Sequence, residues 1–242
     1  MSPTAGLGLK PQHFAEAIAC PAAGLWFEIH AENYMVDGGP RLAMLDALRG
    51  ERPLSVHGVG LSIASAEAPD PIHLNKLTRL VERCEPFLVS EHLAWCSLGE
   101  RCFPDLLPFP RSSDALRLIV RNIDIVQTAL RRPILIENPT VYMELDGHDW
   151  SETAFLSELV ARTGCGLLVD LNNIVVSGHN LGFDPTEYLC ELPGHAIGEY
   201  HLAGHSRDSA ADLLIDSHDA PVADTVWALF DEAVRRFGCR PT

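Results

Sequence analysis

Seven short apolar runs punctuate this chain: GLGL from Gly6, LWFEIH from Leu25, LSVHGV from Leu54, FLVSEH from Phe87, ILIEN from Ile134, GLLVDL from Gly166 and IGEYHL from Ile197. They lack the strict apolar–polar alternation of a sheet with one wet face. They therefore predict strands buried on both sides, as in a parallel sheet covered by helices. The intervening segments supply those helices. Ser113 to Arg131 repeats apolar side chains at Leu116, Ile119, Val120, Ile123, Val126 and Leu130, and Pro133 stops the run. Asp70 and Pro71 form a cap and first-turn pair ahead of Leu74, Leu77, Leu80, Val81 and Cys84. A last helix near Thr225 to Phe237 carries Val226, Leu229, Phe230, Ala233, Val234 and Phe237, closed by Gly238.

Strand–helix units spaced by roughly 30 residues fit either an α/β barrel or a doubly wound sheet. The position of the polar residues separates the two. Glu28, His57, His92, Glu137, Asp170 and His201 all come towards the C-terminal end of an apolar run. A barrel gathers its strand ends around one mouth, whereas an open sheet spreads them in a row. The expected fold is therefore an α/β TIM (β/α)8 barrel, a single domain over residues 1–242 with no linker or low-complexity tract. The helix ending near Phe237 should feed an eighth strand, yet only GCRPT follows. The barrel is accordingly expected to lack that strand in this chain and to be C-terminally incomplete.

Composition excludes several function classes. A formal charge of −15 opposes capture of phosphate backbones, which needs a basic face, so nucleic acid is not an expected partner. The seven cysteines are an odd number with no CxxC pair, which argues against a disulfide framework and against a thiolate zinc site. No uncharged apolar run approaches the ~20 residues of a membrane span, and MSPTAGLGLK lacks the basic head and apolar stretch of a signal peptide. A cytoplasmic location without membrane association is the expectation.

Chemistry concentrates in GEYHLAGHSRDSAADLLIDSHDAP, residues 198–221, which holds His201, His205, Asp216 and His218. Buried carboxylates and imidazoles crowded in this way must pair, protonate or bind a cation. His57 in SVHGVG and His92 in SEHLAWC read either as hydrogen-bonded core histidines or as ligands. Glu137 ends a buried run and is followed by Asn138 and Pro139, so it needs a cation, an arginine or several donors. Asp170 ends the sixth run in LLVDLNNIVVSGHN, with Asn172, Asn173 and His179 behind it as further ligands or, for the asparagines, turn formers. Asp216 and His218, spaced Asp-x-His on an extended loop, would point the same way. The set offers imidazole nitrogen and carboxylate or amide oxygen without sulfur, which suits iron, manganese or zinc. His57, His92, Glu137, Asp170, Asn173, His201, Asp216 and His218 are more donors than one ion needs. Two or three metals are expected, with carboxylate bridges between them.

The ordered motifs FEIHAENYM, SVHGVGLS, SEHLAW, IENPTVY, LLVDLNNIVVSGHN, EYHLAGH and IDSHDAPV, with GLGLKPQHF ahead of them, resemble the multinuclear non-haem iron-dependent oxidative enzymes. The resemblance covers essentially the whole chain. That family includes the catalytic subunit of methanobactin biosynthesis and has a TIM-barrel fold, similar in metal arrangement to endonuclease IV and to xylose-isomerase-like barrels. The resemblance implies that His57, His92 and Glu137 hold one metal and that Glu137 bridges to a second held by Asp170 and His201. It implies a third metal on Asn173, Asp216 and His218; Asn173 stands where the endonucleases carry histidine. A further acidic ligand of both families lies on the eighth strand, so the absence of that strand bears on the second site.

The activity implied by the resemblance is oxidative modification of a ribosomally made precursor peptide, chiefly at cysteine. Its cofactors would be two or three iron ions with O2 as co-substrate, and its partners the precursor peptide and a small leader-recognition protein. Glu32, Asn33, His179, His205 and Arg207 are the expected supporting or peptide-contact residues, with an ordinary loop hydrogen bond or ion pair as the alternative for Glu32, Asn33, His205 and Arg207. Three other readings fit the same donors. One is a metal-dependent phosphodiesterase or hydrolase, which the acidic composition and Asn173 oppose. Another is a sugar isomerase, for which Lys10 is the sole suitably placed lysine. The third is an inactive metal-binding subunit.

Overall fold

The computed structural model describes residues 5–99 and 101–242; the first residues of the N-terminal stretch weighed above as a targeting signal lie outside them. In chain order, β1 (Ala5–Gly8) leads through α1 (Phe14–Ala19) to β2 (Leu25–His30), and α2 (Pro40–Glu51) leads to β3 (Leu54–Gly58). Next come α3 (Pro71–Cys84), β4 (Leu88–His92), a hairpin of β5 (Trp95–Leu98) and β6 (Arg101–Leu107), α4 (Ser113–Leu130) and β7 (Leu135–Glu137). Then α5 (Glu152–Thr163) precedes β8 (Gly166–Asp170), while α6 (Leu171–Leu181) and α7 (Pro185–Glu191) precede β9 (Ile197–His201). A second hairpin, β10 (Ser206–Asp208) and β11 (Leu213–Ile215), leads to α8 (Asp224–Phe237). No helix of the described residues is long and apolar enough to cross a membrane.

The seven apolar runs are the seven strands of one parallel sheet, ordered β1-β2-β3-β4-β7-β8-β9. The sheet curls as an incomplete barrel, and no eighth strand occurs among the described residues. The last residues reach across the gap: Gly6 N donates to the Thr242 carbonyl at 2.6 Å and Tyr200 N to the Pro241 carbonyl at 3.0 Å. Residues 241 and 242 thus stand between the outer edges of β1 and β9.

The strands lack alternation because both faces are buried. Outward-facing Ile29, Val56, Ile136, Val169 and Tyr200 join the helices' Leu45, Leu48, Leu77, Ile119, Ile123, Phe155 and Leu229 in one apolar cluster. Each such side chain contributes ~1.5–3 kcal/mol of burial. Helix starts follow the capping signals. Asp70 accepts from Ile72 N at 2.9 Å with Pro71 in the first turn, and Ser112 accepts from Ala115 N at 3.1 Å. The two hairpins carry no signal in the apolar pattern: β6 is exposed over nearly its whole length and contains Pro104, so neither of its faces needs apolar residues. Asn122, buried on α4, donates to the carbonyls of Ile63 (2.9 Å), Ser65 (3.1 Å) and Glu67 (3.0 Å), which ties the loop after β3 to the helix layer.

Candidate metal centre

The pleat decides which side chains meet. Register sets His57 beside Ser90, His92 beside Glu137, and Asp170 beside His201. Because side chains alternate along a strand, the residues two positions earlier turn to the same interior. Glu28, Ser55, Ser90 and Glu199 therefore form a polar layer below the ring of His57, His92, Glu137, Asp170 and His201.

Glu137 stands at the centre of that ring. Its Oε2 lies 3.1 Å from His57 Nε2 and 3.2 Å from His92 Nε2, and its Oε1 lies 3.7 Å from His201 Nδ1. Asp170 Oδ2 is 3.9 Å from the same Nδ1. His57, His92 and Glu137 make one trio of potential ligand atoms within 4.8 Å of one another, and Glu137, Asp170 and His201 make a second. Glu137 Oε2 is buried and has no hydrogen bond of good direction, although two ring nitrogens reach it at bonding distance. A buried oxygen so placed fits a cation held between the three groups. The far nitrogens of two rings are tied by hydrogen bonds, His57 Nδ1 at 2.7 Å from Ser90 Oγ and His92 Nδ1 at 3.2 Å from the Gly58 carbonyl, and that of the third, His201 Nε2, lies at ion-pair distance, 3.1 Å, from Glu28 Oε1.

The electrostatics are those of a site in which protons stand where a cation would. Burial alone would raise Glu137, but His92 and His57 outweigh it and hold the carboxyl well below the usual range. Burial would lower His201, yet Glu28 and Glu137 hold it well above an ordinary imidazole, and Glu137 likewise raises His57. Burial, reinforced by Glu137, pushes Asp170 up to about 7. In the lower layer burial opposes ionisation of Glu28, but His201 holds it down at about 2, while burial and Glu28 push Glu199 up to about 8. Metal entry must displace the imidazole protons, so affinity weakens as pH falls.

Asp170 has a second task. Its Oδ1 accepts from Asn173 N at 2.8 Å and caps α6. The Asn138 side chain brackets the Asp170 backbone, donating to its carbonyl at 3.0 Å and accepting from its N–H at 2.9 Å. Asn138 was not singled out in the sequence; its signal is its place directly after Glu137.

The remaining candidates gather beside this ring. Asp216 Oδ1 lies 2.9 Å from His218 Nε2 and accepts from Asn172 Nδ2 at 2.7 Å, while Asn172 Oδ1 meets His205 Nδ1 at 2.7 Å. The Asn173 amide donates to the Asn138 carbonyl at 3.0 Å and to Glu137 Oε1 at 3.4 Å, and its Oδ1 accepts from Thr140. Asn172 and Asn173 are helical rather than turn residues, because Asp170 starts α6 directly at the strand end. Asn173, Asp216 and His218 line the same cavity of about 820 Å³ as His57, His92, Glu137, Asp170 and His201. The Asp-x-His segment is not extended: His218 has φ 53°, a left-handed residue whose N–H donates to the Gly204 carbonyl at 3.0 Å.

Gly204 permits that approach. A Cβ there would overlap the Ala220 carbonyl group and stand 2.8 Å from the Pro221 carbonyl oxygen. Gly204→Ala is expected to destabilise the protein by about 1–3 kcal/mol and to displace Asp216 and His218. A thermal melt checks the first effect, and loss of one metal equivalent with the Glu137 ring still loaded checks the second.

The other expected supporting residues divide between loop and hairpin. Glu32 Oε1 accepts from Val59 N (3.1 Å) and Gly60 N (2.8 Å) and lies 3.3 Å from His73, which fixes the loop after β3. The Asn33 carbonyl accepts from Arg41 at 2.6 Å. His179 Nε2 lies 3.1 Å from the Asp212 carbonyl, and Arg207 pairs with the Asp212 carboxylate, so both serve the β10–β11 hairpin.

The chain is 58% identical over 243 residues to a UPF0276 protein of Caulobacter vibrioides, covering 100% of this chain and 87% of the relative. A UPF0276 protein of Rhizobium meliloti is 47% identical over 242 residues, covering 98% and 78%. Among solved structures, D-psicose 3-epimerase of Clostridium cellulolyticum superposes with a TM-score of 0.64 at 11% identity, covering 97% of this chain and 81% of the other. Endonuclease IV of Thermus thermophilus gives a TM-score of 0.59 at 17% identity, covering 96% and 89%. The fold is thus a TIM-barrel fold shared with these structures. Over residues 4–242 the sequence matches the RiPP precursor modification enzymes MbnB/TglH/ChrH, and the chain belongs to that family.

Proposed function

We propose that this protein carries out iron- and O2-dependent oxidative modification of a ribosomally made precursor peptide, at cysteine, together with a small protein that recognises the leader. The observation that carries the reading is the Glu137-centred ring, which opens into the same cavity as Asp216 and His218. Family membership points to a precursor peptide as the substrate. His57, His92 and Glu137 would hold one ion, Glu137, Asp170 and His201 a second, and Asn173, Asp216 and His218 a third. Bound iron would supply a cationic site that favours the thiolate form of the peptide cysteine, and electrons for dioxygen.

The chain's own residues prepare that chemistry. Ser90 and the Gly58 carbonyl hold the far nitrogens of His57 and His92, which turns both Nε2 atoms to Glu137. Asn172 passes a hydrogen-bond chain from His205 to Asp216 and fixes the carboxylate beside His218. The cavity of about 820 Å³ is roomy enough for a peptide residue to approach the ring.

Protein purified without oxygen is expected to hold two or three iron ions per chain, visible in metal analysis and Mössbauer spectra. It should consume O2 only when a cysteine-bearing peptide is present. Stoichiometric zinc together with phosphodiesterase or sugar epimerase activity would overturn the proposal.

A further inference from the structure

We propose that Glu28 is a positioning residue for His201, holding the imidazole by its Nε2–H so that Nδ1 alone faces Glu137 and Asp170. The inference rests on the metal-binding reading above and extends it to a residue outside the ligand set. Its ground is geometric. Glu28 Oε1 lies 3.1 Å from His201 Nε2, while its other oxygen, Oε2, accepts from Ser55 Oγ at 3.0 Å. Ser55 stands opposite Glu28 in the β2–β3 register, so one carboxylate oxygen is anchored on the neighbouring strand and the other is left for the ring. A carboxylate oxygen only accepts, so a ring nitrogen that bonds to it does so through its own proton.

The opposite nitrogen then presents its lone pair to a metal. His201 Nδ1 is the atom that looks to Glu137 Oε1 at 3.7 Å and Asp170 Oδ2 at 3.9 Å. The same rule holds for the other two rings, where one nitrogen is tied to Ser90 or Gly58 and the other faces Glu137. His201 has the most need of the tie, since its side chain is 20% exposed against 3% for His57, and packing holds it less. A carboxylate behind a metal-bound histidine fixes the tautomer and ring direction and makes the ligand more basic.

Glu199 supplies the competing arrangement. It is buried on β9, neither of its oxygens has a hydrogen-bond partner among the described residues, and Glu28, Glu199 and His201 also offer ligand atoms within 4.8 Å of one another. A cation there would take Nε2 as its ligand and leave no proton for Glu28 to hold.

The test uses the full chain, loaded in separate experiments with Fe(II) and Zn(II), with affinity read by chelator competition and tautomer by long-range 1H–15N spectra of the zinc form. Glu28→Ala is expected to weaken the Asp170/His201 metal by roughly 10–100-fold and to abolish the single Nε2–H tautomer of His201. Glu28→Gln keeps an accepting oxygen and nearly the same volume, so it should fall between wild type and Glu28→Ala. Glu199→Gln leaves the Glu28–His201 contact in place and should keep wild-type affinity. Wild-type affinity and tautomer in both Glu28 variants would overturn the inference, as would an ion located on Glu28 and Glu199. Failure of the wild-type protein to bind metal would instead overturn the functional reading beneath it.

Discussion

Glu137→Gln is expected to empty two metal positions at once and abolish peptide modification, while the barrel stays folded. The carboxylate is the only group shared by the two trios of ligand atoms in the ring. Without its charge, His57 and His92 keep two neutral nitrogens for the first ion, and Asp170 and His201 keep two donors for the second. Neither pair satisfies the four to six positions an iron or zinc ion fills. Glutamine preserves the volume and leaves no cavity, so the melting temperature should change far less than with Glu137→Ala. The alanine variant leaves raised imidazoles buried without their counter-charge, at a cost of about 3–5 kcal/mol. Metal analysis after anaerobic purification should show at most one ion per chain in either variant. Retention of two ions on Glu137→Gln would show that the bridge is misassigned.

The second large effect concerns Asp170, which caps α6 with Oδ1 and faces His201 with Oδ2. Asparagine caps helices as well as aspartate does, whereas alanine does not. Asp170→Asn should therefore lose the metal shared with His201 and keep α6, while Asp170→Ala should lose about 1 kcal/mol more of stability. The pH dependence separates the two roles further. In the metal-free protein burial and Glu137 raise Asp170 from 3.8 to about 7. A carboxyl raised in the folded state binds its proton more tightly there than when unfolded. Its contribution is thus fully present below the unfolded value and is lost as pH rises through the folded one. Wild-type stability relative to Asp170→Asn should accordingly fall between about pH 4 and pH 7. Urea titrations of the metal-free proteins at several pH values would reveal a flat difference if Asp170 were not buried as described.

Much of the candidate site was legible because a strand that ends in a polar side chain shows it directly: His57, His92, Glu137, Asp170 and His201 all close apolar runs. Glu28 stood out as a polar residue near the end of its run but not as a neighbour of His201, and Ser55, Ser90 and Glu199 escaped altogether, for a reason of scale. These four sit two residues before His30, His57, His92 and His201, a period-two signal. In strands of five or six residues it yields one repeat and is masked by outward apolar neighbours. Asp216 and His218 were visible as neighbours in sequence, but the left-handed backbone at His218 and the close pass over Gly204 depend on tertiary packing. The hairpins, with little buried face, left no periodic trace.

The hydrogen bonds from Gly6 and Tyr200 to Thr242 and Pro241 also bear on the expected order of assembly. Every strand pairing in the sheet joins strands that are neighbours in the βα progression and close after a modest stretch of chain. The bond from residue 6 to residue 242 spans far more sequence than any of these strand pairings, so its loop-closure entropy exceeds theirs and the contact is expected to form after them. The donors on β3, β4 and β7 belong to the middle of the sheet, whereas His201 lies on an outer strand next to this final seam. The His57–His92–Glu137 half of the centre should thus gain protection from hydrogen exchange before the Asp170–His201 half, and a metal present during folding would meet a two-histidine, one-carboxylate site first.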